Sequence, residues 1–406
     1  MDFDINTIRK DFPILQLKIR GKSLVYFDNA ATSQKPTAVI ERMAQYNRSE
    51  NSNVHRGVHW LSQLATDAME NARETIREHL NAQSIEEVIF TKGTTESINL
   101  VASSFGKAFI SAGDEIVISE MEHHANIIPW QILCQEKGAS LKVSKINPDG
   151  SLNIDHYKSL LNSRTKLVAL AHVSNVMGII NPIKELIYLA HQKQIPVLID
   201  GAQAIPHTNV DVQELDCDFY AFSAHKMYGP TGVGILYGKK KFLEAMPPYQ
   251  TGGEMIDQVS FEKTTFADLP FKFEAGTPMI ASIIGFGEAI KYINNIGIAS
   301  IEAYEHQLLD YGTKKLSEIN GLTIIGTHKP KAAVISFTLE GIHHYDAGSL
   351  LDQMGIAVRT GNHCAQPLMK CMHINGTIRA SFAFYNTKQE IDLLAEAIVK
   401  AQTMLL

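Results

Sequence analysis

Val197-Leu198-Ile199-Asp200, followed by Ser223-Ala224-His225-Lys226 and then by Gly229-Pro230-Thr231-Gly232, is the stretch that decides the fold. The first run is apolar and ends on a carboxylate. That is the pattern of a buried strand delivering Asp200 to its carboxyl end, where open α/β sheets build their ligand sites. A second strand runs into Ser223 and presents the amine of Lys226 among small and polar neighbours. An amine and a carboxylate on neighbouring strand tips can grip opposite sides of one ligand.

Outward from this pair, the sequence alternates short apolar runs with amphipathic stretches from about Glu87 to Tyr237. Val88-Ile89-Phe90, Glu115-Ile116-Val117-Ile118, Leu141-Lys142-Val143 and Leu167-Val168-Ala169-Leu170 read as strands. Ile98, Val101, Ala102 and Phe105 fall at the spacing of a helix with one buried face. Pro182 opens another helical stretch through His191. Alternation of this kind predicts a mostly parallel sheet with helices on both faces. After about Phe273 the grammar changes. Two long helical patterns, Ile280 to Ile296 and Ser300 to Ile319, precede strand patterns at Leu322–Ile325, Ala333–Phe337, Ile356–Arg359 and Thr377–Ser381, and a helix from about Lys388 closes the chain. Few strands between helices predict a smaller α+β domain. No repeat or low-complexity tract interrupts the two, so they are expected to pack rigidly around a shared cleft.

At 406 residues the chain can bury a large core, and its 45% hydrophobic and 20% charged content is ordinary for a soluble enzyme. A net charge of -6, with no basic run, gives no reason to expect a nucleic acid partner. Met1-Asp2-Phe3-Asp4-Ile5 lacks the basic and apolar regions of a signal peptide, and no apolar stretch reaches the roughly 20 residues that span a bilayer. The four cysteines, Cys134, Cys217, Cys364 and Cys371, are too few for a disulfide framework. A cytoplasmic protein with reduced thiols and no membrane partner is expected.

Gly93-Thr94-Thr95-Glu96 lies between the Val88–Phe90 strand and the helix holding Ile98. Free amides and the positive helix end make an anion site there, with Thr94 and Thr95 adding hydroxyls. A stability cap would use the same residue types. With a lysine and an acid on later strands, phosphate binding is the better reading, and an amine, an acid and a phosphate site together point to pyridoxal phosphate (PLP). That cofactor needs a lysine for its aldehyde and an acid to keep its ring nitrogen protonated.

Glu122-His123-His124-Ala125-Asn126 also falls at the sheet's carboxyl edge. Adjacent histidines rarely point at one metal ion, and an imidazole stacked on the cofactor ring, available for proton transfer, fits better. Capping of the next helix stays open for His124. Asn175 and Gln203 each follow a strand and could hydrogen-bond the cofactor's phenolic oxygen or a substrate carboxylate. In the small domain, Arg359-Thr360-Gly361-Asn362-His363-Cys364-Ala365-Gln366-Pro367 places a cysteine in a polar, irregular loop beside Arg359 and His363, the setting of a nucleophile rather than of an inert core thiol. The inert reading suits Cys134 and Cys217. A metal site at His363, Cys364, Cys371 and His373 matches no common zinc spacing. Arg379, on an apolar strand where an unpaired guanidinium is expensive, is a candidate clamp for an amino-acid carboxylate.

These motifs resemble the cysteine desulfurases of the class V aminotransferase group, specifically the SufS type, also called selenocysteine lyase-like. The resemblance runs through Tyr26-Phe27-Asp28-Asn29-Ala30-Ala31-Thr32, His55-Arg56-Gly57, the Gly93 and Glu122 loops, Asp200-Gly201-Ala202-Gln203, Ser223–Lys226, Glu274-Ala275-Gly276-Thr277-Pro278 and Arg359–Ala365. It implies a type I PLP-dependent transferase fold: an N-terminal arm at 1–22 packing on the small domain, a large PLP-binding domain at 23–292, and a small α+β C-terminal domain at 293–406 carrying the cysteine loop. It further implies a homodimer whose sites draw on both subunits. By matching position, Lys226 is the Schiff-base lysine, Asp200 pairs with the pyridinium nitrogen, His123 stacks on the ring and Gln203 contacts the phenolic oxygen. Thr94, Thr95, Ser223 and His225 hold the phosphate, with Thr277 reaching it from the neighbouring subunit. Arg379 and Asn175, with Arg359, Asn29 and His55, serve the substrate, and Cys364 takes the sulfur. Asn362 departs from the pattern, since the family often has a second histidine there.

The implied reaction converts L-cysteine to L-alanine with a persulfide on Cys364. Sulfur then passes to a SufE-like or SufU-like acceptor and on to an iron–sulfur scaffold. L-Selenocysteine lyase activity would keep every residue. A plain aminotransferase would give Cys364 no role, and a non-enzymatic metal or sulfur carrier would need none of the PLP set.

Overall fold

The computed structural model describes residues 4–406. Residues 1–3, the start of the expected N-terminal arm and of the acidic opening, lie outside the described residues. Seven strands build the main sheet: β1 (Val88–Thr91), β2 (Glu115–Ser119), β3 (Ser140–Ser144), β4 (Thr165–Ala171), β5 (Val197–Asp200), β6 (Phe219–Ser223) and β7 (Gly234–Gly238). Their order is β1-β7-β6-β5-β4-β2-β3. The run from β6 to β3 is parallel, while β7 is antiparallel to both neighbours.

Alternate residues of every strand but the edge strand β3 feed two different cores, because successive side chains leave opposite faces of a strand. Val197, Ile199, Tyr220 and Phe222 pack on one face with Met69, Ala72 and Ile76 of α2 (Trp60–Leu80); Thr37–Ser49 forms α1. Leu198, Phe219 and Ala221 pack on the other face with Ile98, Val101 and Phe105 of α3 (Thr94–Phe109) and Trp130 of α4 (Ile128–Lys137). On the first face α5 (Ile183–His191) and α6 (Ile280–Ile296) complete the layer. Burial on both faces explains why strands such as β4, β5 and β6 read as continuous apolar runs. The expected mostly parallel sheet with helices on both faces is therefore what the chain forms.

A second sheet follows, with β8 (Leu322–Ile325), β9 (Val334–Leu339), β10 (Arg359–Gly361) and β11 (Thr377–Ser381) in the antiparallel order β8-β9-β11-β10. Its core includes Leu308 and Leu316 of α7 (Ile298–Ser317), Leu351 of α8 (His344–Gln353) and Leu394 and Ile398 of α9 (Lys388–Leu405). The Ile356–Arg359 run is not the single strand expected. Ile356 and Ala357 pair in parallel with Val25 and Tyr26, and only from Arg359 does the chain join β11. Near the start of the chain Arg9 bonds Glu390 at 2.9 Å, and Phe12 stacks near Tyr385 and Tyr228 at 4.6 and 6.3 Å between centroids. No helix among the described residues is long and apolar enough to cross a membrane.

Candidate active site

The carboxyl ends of β2, β4, β5 and β6 meet the loop after β10 around a cavity of about 240 Å³. Lys226, Asp200, His123, Gln203, Asn175, Thr94, Thr95, Ser223, His225, Arg359, Arg379 and Cys364 all line it. Residues expected to act together, scattered over nearly three hundred positions of sequence, thus face one space.

The β6 strand ends in a single 3₁₀ turn, Ala224–Lys226, that carries the amine. The carbonyl of His225 fixes this turn by accepting from Ser33 N–H at 3.0 Å, Thr32 Oγ1 at 3.0 Å and Lys35 Nζ at 3.2 Å. Burial pushes the Lys226 amine down to about 8, against the opposing pull of Asp200. Asp200 itself is 7% exposed, and its Oδ1 accepts from Ala202 N–H at 3.0 Å. Burial raises its carboxyl, while the Lys226 ammonium favours the ionised form.

His123 Nδ1 accepts from Ala125 N–H at 3.1 Å, so the neutral ring carries its proton on Nε2. Burial, reinforced by the Lys226 charge, holds this imidazole at about 4 and keeps it neutral at physiological pH. His123, not His124, is therefore the residue that caps the short turn His124–Asn126. Behind it, the fully buried Glu122 accepts from Asn126 Nδ2 at 2.7 Å and from Ala171 N–H at 3.1 Å, with Ser119 Oγ at 2.5 Å. Burial raises this carboxyl to about 7.

The start of α3 builds the anion end. The first-turn amides of a helix have no intrahelical acceptor and carry its positive pole. Ser223 Oγ accepts from Thr94 N–H at 2.8 Å and lies 2.6 Å from Thr94 Oγ1, tying β6 to this turn. Thr95 is exposed towards the cavity, and burial pushes the His225 ring down to about 4. Close approach is essential here, since a Cβ on Gly234 would stand 2.3 Å from Gly93 Cα.

Arg379 is 2% exposed; its Nη1 donates to Asn175 O at 2.9 Å and its Nη2 to Asp28 Oδ1 at 3.3 Å, yet its buried Nε has no partner. Burial lowers the guanidinium to about 10, so it stays charged at neutral pH. Arg359 reaches the other oxygen of Asp28 at 3.3 Å. A cation with an orphaned donor, a partly accessible amine beside a carboxylate, and a polar helix N-terminus fit an amino-acid carboxylate, an aldehyde and a phosphate. Lys226, Asp200, His123, Gln203, Thr94, Thr95, Ser223 and His225 are the residues that would hold pyridoxal phosphate.

Cys364 is exposed, in contrast to buried Cys134 and Cys217. It lines the same cavity as Lys226 and Arg379. Burial and the two arginines push His363 down to about 3, and its Nε2 lies 2.8 Å from Thr377 Oγ1. His363 is thus a neutral prop for the loop, and the cationic side chains that share the cavity with the thiol are Lys226, Arg359 and Arg379. Cys371 is half-buried, and its thiol is raised to about 11 by burial and by a bond to Glu120.

Three expected site residues lie outside the lining. Asn29 is buried in the wall, where its amide donates to Ser381 O at 2.7 Å and Asn386 Oδ1 at 3.1 Å while its Oδ1 accepts from Tyr385 OH. His55 faces Glu70 at 3.0 Å, and Thr277 is exposed. Gln203 lines the cavity but donates to Ala30 O at 2.7 Å. Sequence reasoning overlooked Asp28, Glu122 and the contacts of His124. Asp28 and Glu122 stood in the motifs read, but nothing in a sequence says that one carboxylate bridges two arginines.

The family model described as "Aminotransferase class-V" matches residues 25–394. A cysteine desulfurase of Synechococcus elongatus is 53% identical over 99% of this chain, which spans 64% of that relative's length. A probable cysteine desulfurase of Halalkalibacterium halodurans is 53% identical over 97% of both chains. The crystal structure of the cysteine desulfurase CsdA from Escherichia coli superposes over 100% of both chains at a TM-score of 0.93 and 39% identity.

Proposed function

The chain belongs to the class-V aminotransferase family and is a pyridoxal phosphate-dependent cysteine desulfurase, and from that premise we propose that it works as a SufS-type enzyme that takes the sulfur of L-cysteine onto Cys364, releases L-alanine and passes the sulfur to an acceptor protein for iron–sulfur cluster assembly. The observation that carries this reading is the exposed thiol of Cys364 opening onto the cavity that Lys226, Asp200 and Arg379 line.

Bound pyridoxal phosphate supplies an electron sink for the substrate's α-carbon. Arg379 binds the substrate carboxylate through its orphaned Nε, with Asp28 and Asn175 fixing the plane of the guanidinium. The Lys226 amine, held near 8, is neutral often enough at physiological pH to take the α-proton. Asp200 stands beside the lysine to serve the ring nitrogen, burial raising its carboxyl and the Lys226 ammonium opposing that shift, and His123 presents Nε2–H to the cavity. The Cys364 sulfur forms the S–S bond as the substrate's C–S bond breaks. The carbon keeps the electron pair and takes a proton, so L-cysteine and an enzyme thiol give L-alanine and an enzyme persulfide with no external oxidant.

The loop's exposure supports an acceptor of the SufE-like or SufU-like kind that comes to the thiol. A cytoplasmic homodimer suits Thr277 and His55, which lie away from the cavity, and the exposed apolar side chains of Val58, Trp60 and Phe261. We divide the chain into an arm at 1–22, a cofactor domain at 23–292 and a small domain at 293–406. The test is Cys364→Ala: alanine release from cysteine should vanish while the borohydride-sensitive visible band of the lysine-bound cofactor persists. Retained release would overturn the role of Cys364, and the absence of any such band would overturn the whole reading.

A further inference from the structure

We infer that His124 is a positioning residue for the sulfur-accepting loop, clasping the backbone of Cys364 and Gln366 from the cofactor domain; this rests on the reading of Cys364 given above. His363 and Cys364 are consecutive non-glycine residues at φ of +49° and +55°, a left-handed conformation that side chains disfavour. Such a pair persists only where its surroundings over-determine it.

Here each strained residue has its carbonyl held from the other domain. The His363 carbonyl accepts from Asn175 Nδ2 at 2.7 Å, and the Cys364 carbonyl accepts from His124 N–H at 2.7 Å. The His124 ring then closes the clasp, since its Nε2 accepts from Gln366 N–H at 3.1 Å. That bond requires a neutral ring with its proton on Nδ1. Gln366 N–H is also the first amide of the short helix Gln366–Cys371, which has no acceptor within that helix. His124 thus holds the Cys364 carbonyl and the amide two residues further on. His123, one residue earlier, lines the cavity beside Lys226. The dipeptide therefore couples the place of the cofactor ring to the place of the nucleophile. The two histidines are consecutive at the start of a single 3₁₀ turn, so their backbone positions are set together.

The ring's hydrogen bond, and not its bulk, is the active feature, which sets the experiment. His124→Ala and His124→Gln holoenzymes are compared with the unaltered enzyme. The readouts are amide hydrogen exchange across residues 361–371 and steady-state alanine release from cysteine. A hydrogen bond of ordinary net strength corresponds to roughly a three- to tenfold change in population. In His124→Ala the exchange of the segment holding the Gln366 amide should rise by about that factor. Its kcat should fall by a similar factor with KM altered less than about twofold, because the substrate's carboxylate site is untouched. The glutamine carbonyl can accept from the same amide and should restore both. Unchanged exchange in His124→Ala, faster exchange without a fall in kcat, or equal losses in both variants would each overturn the proposal. Exchange reports on the clasp even if Cys364→Ala proves active, so failure of this inference is distinguishable from failure of the sulfur-acceptor reading.

Discussion

Lys226 is pulled two ways, since burial disfavours its charge and Asp200 favours it, and burial wins to leave the amine near 8. Only the neutral amine attacks an aldehyde. The rate at which apoprotein regains its visible band on adding pyridoxal phosphate should therefore climb about tenfold per pH unit below pH 8 and level off above it. A rate still climbing past pH 10 would show an ordinary, solvated lysine. Arg379 makes a second case. Its plane is set by Asn175 and Asp28, and the donor left over is Nε, which lysine lacks. Arg379→Lys keeps the charge and loses that donor, so kcat/KM for cysteine should fall roughly ten- to hundredfold, the worth of a hydrogen bond between charged groups. The loss should appear mainly in KM, and steady-state kinetics would reveal whether charge alone suffices.

Among elements, the start of α3, where we place the phosphate, depends on how closely α3 and β7 approach. A Cβ on Gly234 would meet Gly93 N, Cα and C between 2.3 and 2.5 Å, all backbone atoms that cannot swing aside. Gly234→Ala should therefore cost about 1–3 kcal/mol of stability and weaken cofactor binding, both measurable by thermal unfolding with and without pyridoxal phosphate. No comparable loss is expected at Gly232, where an added Cβ meets nothing, although its φ of +80° makes that substitution strained for backbone reasons. The elements themselves were largely legible because strands such as Val197–Asp200 are buried on both faces and keep their apolar runs short and continuous. The β7 strand was not among the strands read from sequence, being bounded by glycines at both ends and preceded by a glycine-proline stretch. The Ile356–Arg359 run misled because its first half pairs with Val25 and Tyr26, more than three hundred residues away, and periodicity carries no partner information. The same reason hid the clasp of His124 on the cysteine loop and the bridge of Asp28 between two arginines. Residue type marked those loops as sites, while contacts across the fold decided what each side chain does there.

At the scale of the whole molecule, the cavity is lined by Thr94 and Thr95 of the α3 start, the Lys226 amine and the Cys364 thiol, but Thr277 is not among its lining residues. The segment bearing Thr277 is anchored firmly. Arg73, fully buried, bonds Glu274 at 2.7 and 2.9 Å, and Glu274 also accepts from Phe90 N–H at 2.7 Å. Removing one partner of such a pair strands a buried charge, at a typical cost of 3–5 kcal/mol, so this loop is not free to fold back onto its own cavity. Exposed, and three residues from the Glu274 anchor, Thr277 is suited to serve a site in a second copy. That geometry makes a complementation experiment decisive. In the homodimer proposed above, Thr277→Ala should bind pyridoxal phosphate about tenfold more weakly, the loss of roughly one hydrogen bond to a charged group, and Lys226→Ala should show no borohydride-reducible band. If Thr277 acts across the interface, a mixed dimer of the two variants contains one site with both Lys226 and Thr277 native. It should then bind one reducible cofactor per dimer with unaltered affinity. If Thr277 acts within its own chain, the site that keeps Lys226 also carries the alanine, and the mixed dimer titrates like the weakened homodimer. Titrating the visible band of purified mixed dimers separates the two, and the second outcome would remove the shared-site assembly.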